Sequence, residues 1–236
     1  MNYLIDESCN AGKGGNIIIS LLHHFLSTHS FGETSVHFHA DNCTGQNKNW
    51  YLMYYFMWRV MTGLHEEIKI SFMPVGHTKF SPDWCFGLLK RKYRKMRIGC
   101  LDDVVRAVNQ SGSPNVAQLV GTQAGDVIVP MYNWSEYFED VTIKTALKGI
   151  SHMHHFQFKS SAPGKVFVKD AIDNEERCIN LLKSLPWHPS SSDLPNPIVP
   201  AGLSLERQYY LYDKIREFVP EDLQDLVCPK PIQPRP

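Results

Sequence analysis

Hydrophobic and polar positions along this chain fall into alternating periods. Residues 35–40, SVHFHA, set Val36, Phe38 and Ala40 against His37 and His39, which is the two-residue period of a strand with two distinct faces. Ile68, Ile70 and Phe72 repeat that period in EIKISFMPV, and YLI at 3–5 reads as the end of another strand. Between these segments the period lengthens. Ile17, Leu21 and Phe25 recur every fourth residue beside Ile18, Leu22 and Leu26, predicting a helix capped at Asn16. NWYLMYYFMWRVM is apolar on nearly every side, which predicts a helix over about 48–62, buried all round and stopped by Gly63. Ser81-Pro82-Asp83 opens a third helix, with Ser81 as cap and Pro82 at the first helical position. That helix is expected to turn Cys85, Leu88, Leu89, Tyr93 and Met96 inward. Strand and helix thus alternate, as in an α/β sheet with parallel neighbours.

Beyond about residue 112 the texture changes. DVIVPMY, HFQFK and KVFVKD read as short strands, the last two forming a hairpin through SSAPG, and ERCINLLK reads as a short helix. Pro and Ser dominate 186–202, an amphipathic helix is expected over about 204–218, and a proline-rich tail closes the chain. The organisation expected is a core over 1–112, a β-containing extension over 113–187, and a linker, helix and tail over 188–236.

Charge removes some function classes. Lys plus Arg and Asp plus Glu are both 24, so the formal net charge is zero and any affinity for nucleic acid must be local. The six cysteines, at 9, 43, 85, 100, 178 and 228, have no zinc-site or disulfide spacing and read as reduced, mostly buried thiols. No leader pattern and no apolar run of membrane-spanning length is visible, which predicts an intracellular protein without a membrane partner. The histidines of HMHH at 152–155 and of His23-His24 read as loop or strand residues without a metal.

The densest chemistry lies in HADNCTGQNKNW, 39–50. Ligands of open α/β sheets bind off the carboxyl ends of strands, where Asp41 and the GHT loop (76–78) are expected to lie, and Asp83 in the first helical turn can point at the same edge. Two acids beside amides, His77, Thr78 and Lys48 suit a hard divalent cation and phosphate oxygens. The plain alternatives are that Asp41 and Asn42 cap the next helix and that Asp83 only complements the helix dipole. The run 90–97, KRKYRKMR, carries six cations, Lys90, Arg91, Lys92, Arg94, Lys95 and Arg97. It reads equally as a phosphate-binding patch, a nuclear localisation signal or a solvated helix face.

These residues also carry a resemblance. A strand ending in Asp, an Asn-rich turn and a later acid opening a helix resemble the catalytic core of ribonuclease-H-like transposases and integrases. More closely, HADNCTGQNKNW, VGHTKFSPDWCFGLLKRKYR, VPMYNW and GLSLERQYYLYDKIREFVP resemble an uncharacterised transposon-derived domain of animal proteins, over nearly the whole chain. The resemblance implies an α/β fold with a partial ribonuclease-H-like mixed sheet flanked by helices, a C-terminal β-containing extension and a helical tail. It implies Asp41 and Asp83 as catalytic, metal-binding acids for Mg²⁺ or Mn²⁺, with Asn42, Gln46, Asn47, Lys48, His77 and Thr78 around the metal or the phosphate. DNA is the implied partner, with phosphodiester cleavage or strand transfer as the ancestral chemistry.

The departure concerns the first acid. In that fold three antiparallel strands precede the first helix, whereas Met1 stands at what corresponds to the third, so Asp6 does not replace the missing Asp and catalysis is expected to be incomplete. An open sheet edge beside residues 3–5 is then expected to promote self-association. Two other readings remain. One is a non-catalytic nucleic-acid or protein-binding module. The other is a zinc metallohydrolase on His37, His39 and Asp41, whose usual extension by a further histidine is replaced by Asn42. A nuclear rather than cytoplasmic location follows from the DNA-binding reading.

Overall fold

In a computed structural model, every residue is described except 13, 44–46, 74–79, 123–124, 184–186 and 236. The elements in chain order are β1 (Asn2–Leu4), α1 (Gly15–Thr28), β2 (Ser35–Ala40), α2 (Trp50–Met61), β3 (Glu67–Phe72), α3 (Ser81–Tyr93) and α4 (Leu101–Asn109). Then come β4 (Ala117–Leu119), α5 (Trp134–Glu139), β5 (His155–Lys159), β6 (Lys165–Lys169), β7 (Arg177–Asn180), α6 (Leu205–Tyr210) and α7 (Gln224–Val227). The architecture is mixed α/β, with helices and a mixed five-stranded sheet. Two compact units are each assembled from segments distant in sequence: residues 12–77 with 131–198, called here the sheet unit, and residues 1–11, 78–130 and 199–236, called the helical unit.

The sheet unit is organised by α2. Every side chain from Leu52 to Val60 is buried, as an all-round apolar helix requires. The Asn49 side chain accepts the Leu52 N–H at its start, and Gly63, at φ +75°, lets the Leu64 N–H reach the Arg59 carbonyl at its end. The strands run in the order β2-β3-β5-β6-β7: β2 and β3 are parallel and each later neighbour is antiparallel. One sheet face, with Ile68, Ile70, Phe72, Phe156, Phe158, Val166 and Val168, belongs to the same core as α2 and α5. Ser20 ties α1 to the later segment: its hydroxyl donates to the Asn16 carbonyl and accepts from the Tyr132 N–H and the Trp134 indole.

Several expectations are corrected. α1 is capped at Gly14, and Asn16 instead binds Asn133 and Ser135 through its side chain. Phe80, not Ser81, is the cap of α3, which places Pro82 one position further in. α3 buries none of its residues, and Tyr93, expected to point inward, is exposed. Residues 177–180, expected as helix, are β7, because the β5–β6 hairpin has a free edge that backbone pairing fills and Ile179 lies opposite Val166. DVIVPMY, expected as a strand, forms among the described residues the isolated bridges of Val127 with Gly121 and of Tyr132 with Pro197. β1 pairs in parallel with β4 in a separate two-stranded sheet of the helical unit, so the edge of the five-stranded sheet next to β3 is β2 itself.

The helical unit has a smaller core, with Cys9, Ala107, Val108, Val120, Val129 and Cys228 buried. The helix expected over 204–218 is α6 continued by a π-helical turn, Leu211–Ile215, and a 3-10 turn, Arg216–Phe218. None of the six cysteines, all of which are described, is in a disulfide. Among the described residues no helix is long and apolar enough to cross a membrane.

Candidate functional site

Asp41 follows the last residue of β2, and because β2 and β3 are parallel their carboxyl ends share one edge of the sheet. Its Oδ1 accepts the backbone N–H of Cys43 at 3.3 Å and the amide of Asn47 at 2.5 Å. The Asn47 and Lys48 N–H groups both bond to the Cys43 carbonyl. Asp41 and Asn47 therefore shape the turn, and Asn49 rather than Asn42 caps α2.

Lys48 is the correction in this loop. Expected to face a phosphate, it is 2% exposed, donating to Asn42 Oδ1 at 2.9 Å and to the Ser151 carbonyl at 2.8 Å, with its ammonium 5.2 Å from the centre of the Phe72 ring. Burial lowers its pKa, as expected for a cation held by the neutral groups of Asn42, Ser151 and Phe72. It fastens the loop to residue 151 and does not present charge to solvent.

Gln46, His77 and Thr78 lie outside the described residues. Asp83 is exposed in the first turn of α3 and belongs to the helical unit, whereas Asp41, Asn42, Asn47 and Lys48 belong to the sheet unit. Two-metal chemistry holds two ions about 4 Å apart between shared carboxylates. Among the described residues no group of three or more His, Cys, Asp or Glu side chains is placed to hold a metal ion, so the donors around Asp41 do not make up such a set. The same holds for His37, His39 and Asp41, all three of which are described.

The basic run occupies the last turn of α3 and the residues after it. Lys90, Arg91, Arg94, Lys95 and Arg97 are exposed and Lys92 is half-buried. Among the described residues the run makes one ion pair, Arg97 with Asp222 at 3.4 Å. On the same helix Trp84 is 61% and Phe86 52% exposed, with the Lys90 ammonium 5.1 Å from the Phe86 ring centre.

A second cluster joins His37 and His155, which the sequence treats separately, through Ser71. On the sheet face opposite the core, His37 and Ser71 are hydrogen-bonded at 2.9 Å, and the Ser71 hydroxyl also meets His155 Nδ1 at 2.9 Å. The His39 ring centre lies 4.4 Å from that of His37. Burial first, then neighbouring imidazoles and lysines, lowers the pKa of His37 and of His155, favouring the neutral rings. The signal in the sequence was the alternation of SVHFHA and HFQFK, which marks these side chains as one face. Their convergence depends on the antiparallel pairing of β3 with β5, across more than eighty residues of sequence.

No curated protein and no solved structure matches the chain. Residues 3–173, well over half of its length, match the family model described as "Domain of unknown function (DUF7869)", and the chain belongs to that family.

Proposed function

We propose that this protein is a nucleic-acid-binding module, holding the phosphate backbone through the basic run of α3. The observation that carries the reading is the run itself: six cations within eight residues, of which only Arg97 has an anionic partner among the described residues. A solvated face balanced by nearby acids would show more pairing. The exposed Trp84 and Phe86 add flat apolar surface beside the charge. Descent from a transposase-like or integrase-like protein with a ribonuclease-H-like core belongs to the same proposal, supported by the parallel β2 and β3 and by Asp41 at the exit of β2. DNA is the partner this descent favours, with a nuclear site of action. The reading is one of binding, because the described donors around Asp41 fall short of a two-metal set.

Binding of this kind is indifferent to sequence and falls steeply with salt, because each neutralised phosphate releases counterions. Five contacts on duplex DNA would lower affinity about 500-fold between 50 and 200 mM salt. Lys90→Glu, Arg91→Glu, Lys92→Glu and Arg94→Glu together should abolish duplex binding in an anisotropy titration. Unchanged affinity in that variant would reduce the run to a solvated helix face.

A further inference from the structure

The sheet face opposite the core is not plain solvent-facing surface. A cavity of about 660 Å³ opens on it, walled by His37, His39, Ser71, His154 and His155 with Ile172. A second cavity of about 270 Å³ shares His37, Ser71, His155 and Ile172 and extends to Gln157, Phe167 and Lys169. The strand registers explain this arrangement. His37, Lys69, Gln157 and Phe167 lie opposite one another on successive strands, as do His39, Ser71, His155 and Lys169 in the next row. Neighbouring strands lie about 4.8 Å apart, so the first row sets His37 beside Lys69 and the second sets His155 beside Lys169.

Two properties select the occupant. The first is flat, uncharged ring surface: the pKa values of His37 and His155 are lowered, and a neutral imidazole offers its face to another flat ring. The second is a set of lysines along the strands whose ammonium groups are largely free of ion pairs. Among the described residues Lys159, Lys165 and Lys169 make no ion pair, and only Lys69 is paired, with Glu67 at 3.2 Å. The loop acids Asp170, Asp173 and Glu176 also line the cavities, with Asp170 held by Arg177, which leaves the lysine rows as the path for an anionic backbone.

We infer that this sheet face is a platform for a single-stranded polynucleotide, with unstacked bases over His37, His39 and His155 and phosphates along Lys69, Lys159, Lys165 and Lys169. Sheet surfaces that carry rings stack two or three bases of a single strand, whereas a duplex keeps its base faces covered. An acidic peptide would satisfy the lysines but leave the rings without a flat partner. The inference deepens the nucleic-acid reading but uses side chains of the sheet unit, none of them on α3.

The test uses the full chain with short labelled oligonucleotides in anisotropy titrations: single-stranded DNA, the same sequence as RNA, the DNA duplex, and a polyglutamate peptide. The expected result is a preference for single strands over duplex, with the DNA and RNA arms showing which sugar is favoured. His37→Ala, His39→Ala and His155→Ala together should weaken single-strand binding by about tenfold or more and leave duplex binding unchanged. His37→Asn, His39→Asn and His155→Asn, with a cooperative unfolding transition as the check on folding, should behave alike if the ring is what matters. Charge reversal on α3 should remove duplex binding and leave the histidine-dependent single-strand binding in place. Wild-type affinity for single strands in both histidine variants, or polyglutamate competing at equal affinity, would each overturn the inference. If the α3 variant keeps duplex binding while the histidine variants lose single-strand binding, the α3 reading fails and the sheet platform stands.

Discussion

Acid should unfold this protein early, and two histidines set the window. Arg59 is 3% exposed inside the sheet unit, where its Nε donates to His65 Nδ1 at 3.2 Å and its NH1 to the Tyr55 hydroxyl at 2.9 Å. With its oxygen accepting from Arg59, Tyr55 donates to His23 Nδ1 at 3.1 Å. Both imidazoles therefore serve as acceptors, and a proton on either would place N–H against a donor beside a guanidinium. Burial, then Arg59, lowers the pKa of each to about 4. An unfolded histidine titrates near 6.5. Between those values the unfolded chain binds more protons than the folded one, so stability is full above about pH 6.5 and falls as pH drops towards 4. Each histidine removes about 2 kcal/mol by pH 5, so the pair removes about 4 kcal/mol, a large share of the ~5–15 kcal/mol that folded proteins typically possess. Carboxylates held low, such as Asp103 at about 2, act below this window. Urea unfolding followed by tryptophan fluorescence at pH 7, 6 and 5 measures the slope. His23→Gln and His65→Gln should each remove about half of the pair's contribution. A wild-type stability that is level between pH 7 and 5, or variant slopes equal to the wild type, would refute the argument.

Two further substitutions test the structure at other points. Ser20→Ala strands the Tyr132 N–H and the fully buried Trp134 indole N–H together, and should cost about 3 kcal/mol by the same denaturant titration; a cost within noise would mean that α1 and the 132–134 segment are held otherwise. Lys48→Met keeps the apolar stem and removes the buried charge, so it should stay within about 1 kcal/mol of wild type, while Lys48→Ala, which also opens a cavity, costs about 2 kcal/mol or more. Neither should alter DNA affinity, and a loss comparable to that of the α3 charge reversal would give Lys48 back a role at phosphate.

The parts of the fold that were legible are those whose period is local. β2, β3 and the β5–β6 hairpin follow from alternation, and α2 from an apolar run longer than a strand. β7 was misread as helix because ERCIN has no strict alternation, and what makes it a strand is the waiting edge of β6, a tertiary fact. β1 was legible as a strand but not in its pairing, since its partner β4 is a three-residue segment more than a hundred positions away. α4 and α5 were missed for a related reason. Both are short, and α5 rests on the Asn133 cap and on Trp134 and Phe138, whose burial depends on α1 and α2.

The loop at 41–49 shows why residue types alone could not separate binding from architecture. An acid and several amides in a turn are the donors and acceptors a phosphate site needs, and equally those that a sharp strand-to-helix connection uses on its own backbone. The described geometry gives Asp41 and Asn47 to the turn, Asn49 to the helix cap, and Asn42 to a buried lysine. With these described groups committed internally, the proposed base-stacking surface draws instead on side chains whose periodicity hides them as the polar half of a strand. In the sequence His155 is one polar position of an alternating strand and His37 points only to a zinc reading with His39 and Asp41, because a polar residue at every second position is what any half-buried strand shows. Register brings them together, each at hydrogen-bonding distance from Ser71. A surface that must stack bases needs rings at fixed spacing on a rigid support, and a sheet face supplies that spacing through its backbone ladder, which a loop does not.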